Sequence, residues 1–536
     1  MKEELKRYLN SKDTELNRYY TALNTIYRLQ ELAKTNFHFP ISNNFLLKKC
    51  LIYSISLNGI SFLNSLMLND FFEEKCFSFN IAFSIRNIIE SSVLLHLYNE
   101  GKTNKNNAFL FIVRSDAFEY LYNKVIKING IDINIAKEKY DKVKKFYVDL
   151  LKVDEKKAEN LIYNNLGFLY NTELSPRKDL TYYSLINDNM SKEVLEVYDL
   201  CSKKVHPHDL AYNYFINKEE LIIDIGLAFI NNIMVKDDKY TDYTYIMHIK
   251  KLAENPLFTL LNKQLSCLSN ISRCFHENQP RSHVCFTLNE LIPLIYDTNR
   301  DFLMDFNVLV RMKVKIILEQ LLLFFDVFNE RNSATSNLKL KLLNLHTRIS
   351  FIKKKDRNSA SKLYKEAYTN FTEIYDVAIT DKEFKNIFRK PLGFLIDENK
   401  KVSSYTQFVK RSINNLFEGE INEEYNIADL LILYYHEANE LSHPNYSIYD
   451  GSVLDYNNEV PKIIGIIDAV LMKILKIVCS RYSEFINDFE KTPNDEYLKE
   501  YKLSKNIKEN LNMNLNILKS IYKEKEDKGF YTIRKK

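Results

Sequence analysis

Along almost the whole chain apolar residues recur at steps of three and four, and runs of strict alternation are scarce. In LNRYYTALNTIYRLQELAK, residues 16–34, this spacing sets Leu16, Tyr20, Leu23, Ile26, Leu29 and Leu32 on one helical stripe. The two longest apolar stretches, VKIILEQLLLFFDVF (314–328) and IIGIIDAVLMKILKIVC (463–479), both carry charges. Each falls short of the roughly 20 uninterrupted apolar residues a membrane helix needs, so they read as buried core helices. With 10 Gly and 10 Pro in 536 residues, turns for β-hairpins are few. The pattern predicts an all-α protein of long helices and short polar connections.

The pattern also repeats. RNIIESSVLLHLYNE (86–100) can be laid on KIILEQLLLFFDVFNE (315–330), which puts Arg86 on Lys315 and Glu90 on Glu319. NNLGFLY (164–170) matches RKPLGFLI (389–396) through an identical LGFL. YDLCSKKVHPHD (198–209) and YHEANELSHPNYSIYD (435–450) both run helically into His-Pro, at His206 and His443. ELIIDIGLAFINNIM (220–234) then resembles KIIGIIDAVLMKILK (462–476). These matches keep their order at a spacing of about 230 residues, far beyond the period of a solenoid, so each copy is a domain. The expected layout is an N-terminal helix over 1–40, a first helical-bundle domain over 41–235 and a linker over 236–256. A second, homologous domain over 257–490 follows, and 491–536 forms a C-terminal helix and tail.

Composition narrows the classes. A net charge of +5 from 75 basic and 70 acidic groups lacks the footprint of a dedicated nucleic-acid binder. Lysine-rich patches such as KVKK (142–145) read as solvated helix faces. The seven cysteines are scattered, and KEELKRYLN follows Met1 with no apolar leader, which points to free thiols in a reducing, cytoplasmic compartment and to no membrane partner. No Walker A loop, GxGxxG, HExxH or GxSxG occurs, and no cofactor is implied.

Two constellations could carry chemistry. Arg86 and Glu90, four apart, share a helix face among Ile85, Ile88, Ile89, Val93 and Leu94. A buried pair of this kind is costly unless hydrogen-bonded, so it is either a structural ion pair or the wall of a site. Lys315 and Glu319 repeat the pair with a point charge in place of a planar fork, and Arg311 lies one turn earlier. Proline disfavours α geometry before it, so His206 and His443 should end helices. Ser202 and Asn439 lie one turn back from them, and Tyr198 and Tyr435 two turns back. If Glu90 meets His206 and Glu319 meets His443, each half holds a cation–carboxylate–imidazole cluster suited to metal-independent phosphodiester cleavage. Metal readings are weaker. His436, Glu440 and His443 share a face that the other copy does not reproduce, and CLSNISRCFHENQPRSHVC (267–285) has no standard finger spacing.

The layout IRNIIES, a long helical middle, then Ser or Asn four residues before His-Pro resembles uncharacterised bacterial all-helical domains. Less closely, it resembles HEPN-type domains, small helical bundles of toxins and phage-defence proteins, many of them ribonucleases. That resemblance implies an RNA-cleaving effector of a bacterial defence or stress module, with paired domains. Arg86 would hold phosphate, Glu90 would orient and His206 would act as acid and base, mirrored by Lys315, Glu319 and His443. The competing expectation is a non-catalytic scaffold whose clusters are structural and whose grooves bind a protein partner. The sequence leaves the oligomeric state open.

Overall fold

The computed structural model describes residues 43–72, 78–118, 120–121, 133–170, 180–205, 219–234, 307–328, 356–390, 392–396, 404–416 and 427–444, with scattered positions in 291–301 and 338–349 and position 470. Helix makes up 86% of them and no strand occurs among them, as the periodicity predicts. The stripe at 16–34, the 236–256 connection, the 267–285 stretch, nearly all of 463–479, the tail after 490 and His206 lie outside the described residues.

The core begins with an antiparallel pair, α1 (Asn43–Phe72) and α2 (Ser78–Asn99). Neither is amphipathic. Every residue of α2 from Asn80 to Leu94 is buried, so it is a central helix covered on all sides. Each aliphatic side chain placed there contributes roughly 1.5–3 kcal/mol. The polar residues within this pair must find each other, because a buried donor without a partner is costly. They do so in rungs: Ser91 donates to Ser54 at 2.9 Å, Asn87 to Asn58 at 3.2 Å and Ser61 to Asn80 at 3.3 Å. The stretch Leu46–Leu63 of α1 is long and apolar enough to span a bilayer by length and composition, yet 83% of it is buried against its neighbours. It passed unnoticed in the sequence because its serines and asparagines interrupt the apolar run.

Helix α3 (Lys105–Val113) follows, then a 3-10 turn (Arg114–Ala117), α4 (Ile133–Leu151) and α5 (Glu155–Tyr163). Helix α4 buries Ala136, Tyr140, Val143, Tyr147 and Leu151. Its lysines face solvent, where Lys142 pairs with Glu138 at 2.8 Å and Lys144 with Glu155 at 3.2 Å. Helices α6 (Tyr182–Asn189) and α7 (Lys192–Val205) come next, with α7 lying along α2. Helix α8 (Glu219–Met234) crosses α1 and α2 at Gly226, where an added Cβ would stand 3.0 Å from Phe62 and Ile85.

The later half contains α9 (Asn307–Phe328), α10 (Arg357–Tyr375), α11 (Asp381–Phe388), α12 (Tyr405–Leu416) and α13 (Ile427–Leu441). Helix α9 is the central one here, buried continuously from Leu309 to Leu323, and α13 packs on it. Several local details recur between the halves. Helices α4 and α10 both stop at a left-handed residue, Lys152 (φ 56°) and Asp376 (φ 44°). Asp154 caps α5 and Thr380 caps α11. In the two LGFL turns the Gly167 amide donates to Asn164 at 2.8 Å and the Gly393 amide to Lys390 at 2.9 Å. A side chain on either glycine would collide with a backbone carbonyl six residues earlier, that of Leu161 or Ile387. The halves are pinned by a buried polar network in which Lys313 pairs with Asp301 and, at 3.0 Å, with Asp297. Asp297 also accepts from Ser65 of α1 at 3.1 Å and from Asn80 of α2.

Candidate active site

Because α2 is buried on every side, the charges it carries must be satisfied by side chains from other helices. Arg86 and Glu90 stand one turn apart, with Arg86 Nε 3.1 Å from Glu90 Oε1. Tyr198 of α7 donates to the same oxygen at 3.0 Å. The other oxygen, Oε2, bonds Nδ1 of His443 at 2.9 Å. Arg86 Nη2 lies 3.4 Å from each nitrogen of that ring. Tyr182, the first residue of α6, stacks on the imidazole at 5.9 Å between centroids with 4° between the planes.

His443 comes from the other half, 353 residues further along the chain than Glu90. The expected pairing of Glu319 with His443 within one half is therefore corrected. The cause is the placement of α13, whose C-terminal end abuts the first half, so that Glu440 pairs with Arg114 at 3.5 Å. Its terminal imidazole is delivered to α2. Glu319 is held by Tyr435, which donates at 2.8 Å, and Tyr405 lies in its field. Lys315 is buried within the fields of Glu319, Arg86 and Glu90. Arg311 faces α13 and pairs with Glu437, its Nε 3.0 Å from Oε2, so it stands apart from the cluster. Ser202 lies beside Tyr198. Among the described residues Asn439 contributes its backbone carbonyl, which accepts from Ser442 at 2.7 Å. The face of His436, Glu440 and His443 does not converge: Glu440 turns to Arg114 and His443 to Glu90. No cluster of three or more candidate metal ligands occurs among the described residues.

The electrostatics follow from burial. Burial opposes the charge on Glu90, but Arg86 and His443, with the Tyr198 hydrogen bond, outweigh it and hold the carboxyl below its usual range. Burial likewise opposes the Arg86 charge, and Glu90 restores it. For His443 burial dominates. Glu90 favours the imidazolium, Arg86 and Lys315 oppose it, and the group is pulled down from 6.5 to about 4. Burial also lowers Lys315 and raises the phenols of Tyr182 and Tyr198. At neutral pH the site thus holds a carboxylate, a guanidinium, a neutral imidazole and two protonated phenols. A neutral ring donating from Nδ1 to Glu90 keeps Nε2 as a proton acceptor. A cleft of about 530 Å³ borders the cluster, and Tyr182, Tyr198 and Ser202 form part of its wall.

The sequence reading passed over Tyr182, Tyr405 and the Arg114–Glu440 pair. A signal for the tyrosines was present. Each opens a helix directly after its capping hydroxyl, Thr181 or Ser404, in the segment that follows an LGFL turn. No protein-family model, curated protein or solved structure matches the chain.

Proposed function

We propose that the chain is a tandem pair of homologous HEPN-like helical units whose composite Arg86–Glu90–His443 cluster cleaves RNA without a metal, as an effector of a bacterial defence or stress module. The observation that carries this reading is the 2.9 Å bond from His443 to Glu90, with the Arg86 guanidinium 3.4 Å from the ring. In this mechanism His443 Nε2 takes the proton of a ribose 2′-hydroxyl. The 2′ oxygen attacks phosphorus, and the imidazolium returns the proton to the departing 5′ oxygen. Glu90 orients the ring and stabilises its cationic form, while Arg86 and Lys315 steady the phosphorane charge. The two left-handed helix ends, the LGFL turns and the paired Tyr198–Glu90 and Tyr435–Glu319 bonds support a duplicated unit. Cys201 is a buried thiol outside any disulfide, which suits the reducing cytoplasm we assign to the protein.

The test is incubation of the full chain with single-stranded RNA in the presence of a chelator. His443→Ala should lower the cleavage rate by about 100-fold or more while leaving the helical CD spectrum intact. Cleavage unchanged in that variant removes the histidine from catalysis. The burial of Glu90 (0% exposed) and Arg86 (5%) favours a second reading, in which the cluster locks the two halves of a scaffold. That reading expects no cleavage by the wild-type chain and a lower unfolding midpoint for His443→Ala.

A further inference from the structure

The cleft beside the cluster has a composition of its own. Four of its wall residues are tyrosines: Tyr163, Tyr182, Tyr183 and Tyr198. Tyr163 and Tyr183 are 49% and 42% exposed, which puts two aromatic faces at its mouth. Tyr182 is 6% exposed and lies deep, and its hydroxyl is buried with no hydrogen-bond partner among the described residues. The Ser202 hydroxyl lies on the same wall, beside Tyr198. Asn165 adds an amide whose oxygen accepts from Arg114 at 2.8 Å, while the Asn164 amide is taken up by the Leu180 carbonyl and the Leu166 N–H. Among the described wall residues Asp199 is the one charged side chain, and Lys203 pairs with it at 2.6 Å. The cleft is therefore aromatic, amide-lined and nearly uncharged. The cations Arg86 and Lys315 belong to the buried cluster behind Tyr198 and are absent from the wall.

We propose that this cleft binds a nucleobase, stacking it on Tyr163 or Tyr183 and reading its polar edge with the Tyr182 and Ser202 hydroxyls and the Asn165 amide nitrogen. A nucleobase is planar, uncharged and rich in edge donors and acceptors, and every base offers a face on which a phenol ring can stack. The volume falls within the roughly 300–1,000 Å³ of small-molecule sites. An anion finds no cation among the described residues of the wall. The inference names the substrate class of the site proposed above and rests on that reading for its link to cleavage. Base binding itself stands on the cleft.

The experiment is titration of the full chain with adenosine, cytidine and inorganic phosphate, followed by calorimetry or ligand-observed NMR. Saturable binding of at least one nucleoside is expected, with inorganic phosphate failing to compete. Tyr183→Ala and Tyr163→Ala, both at half-exposed positions, should weaken binding about tenfold where that ring stacks the base. Tyr183→Phe, which keeps the ring, should retain it. Nucleoside binding without any RNA cleavage would sink the catalytic reading and leave this one standing. Cleavage with no nucleoside binding, or binding indifferent to both tyrosine-to-alanine changes, would overturn this inference and leave the catalytic reading intact.

Discussion

Helices α2 and α9 occupy matched central places, and each presents a cation and a glutamate one turn apart with a tyrosine bonded to the glutamate. Yet they differ in what completes them. Glu90 has a guanidinium at 3.1 Å and an imidazole at 2.9 Å. Glu319 lies beside Lys315 and is held by the phenol of Tyr435 at 2.8 Å. An arginine cannot shed its proton when buried, so it must be paired permanently. A lysine can, and burial already lowers Lys315. The same skeleton therefore carries an obligatory ion cluster in one half and a conditional one in the other.

The largest effect should come from removing one carboxylate at a time. Glu90→Ala leaves the Arg86 charge buried and unpaired and should cost about 3–5 kcal/mol, measured by urea unfolding. Glu319→Ala should cost clearly less, because Lys315 can become neutral. Equal losses would erase the asymmetry. Acid should come next. His443 is lowered to about 4, His346 to about 4 and His436 to about 3, each mainly by burial. The unfolded chain binds protons on these rings from about pH 6.5 downward while the folded chain does not, so stability is full above that pH and falls as pH drops toward 4. Each histidine contributes on the order of 3 kcal/mol to that fall. His443→Ala should flatten the unfolding midpoint over this range, and a profile unchanged in that variant would show a ring that titrates normally. The smallest effect is expected from exchanging the cations. Arg86→Lys should lose roughly 1–2 kcal/mol through the missing fork in the same unfolding assay.

What was legible in the chain was local. The three-and-four spacing gives the helices. The shared LGFL marks a turn in which Gly167 and Gly393 meet a carbonyl in the same way, and the columns set Tyr198 and Tyr435 two turns before the histidines, where the structure bonds each to a glutamate. The imidazole's true partner was hidden. A period describes one helix, while the choice of Glu90 over Glu319 depends on where the end of α13 lands among other helices. Arg311 was misjudged for the same reason: one turn along α9 is enough to swing it from the cluster to Glu437. Tyr182 and Tyr405 needed a cap and a preceding LGFL turn to be read together.

The ring that completes the Glu90 cluster lies 353 residues downstream of it. On the ribosome, the first-half helices can emerge and collapse while the carboxylate still waits for its imidazole. The cluster is thereby incomplete until translation has passed His443.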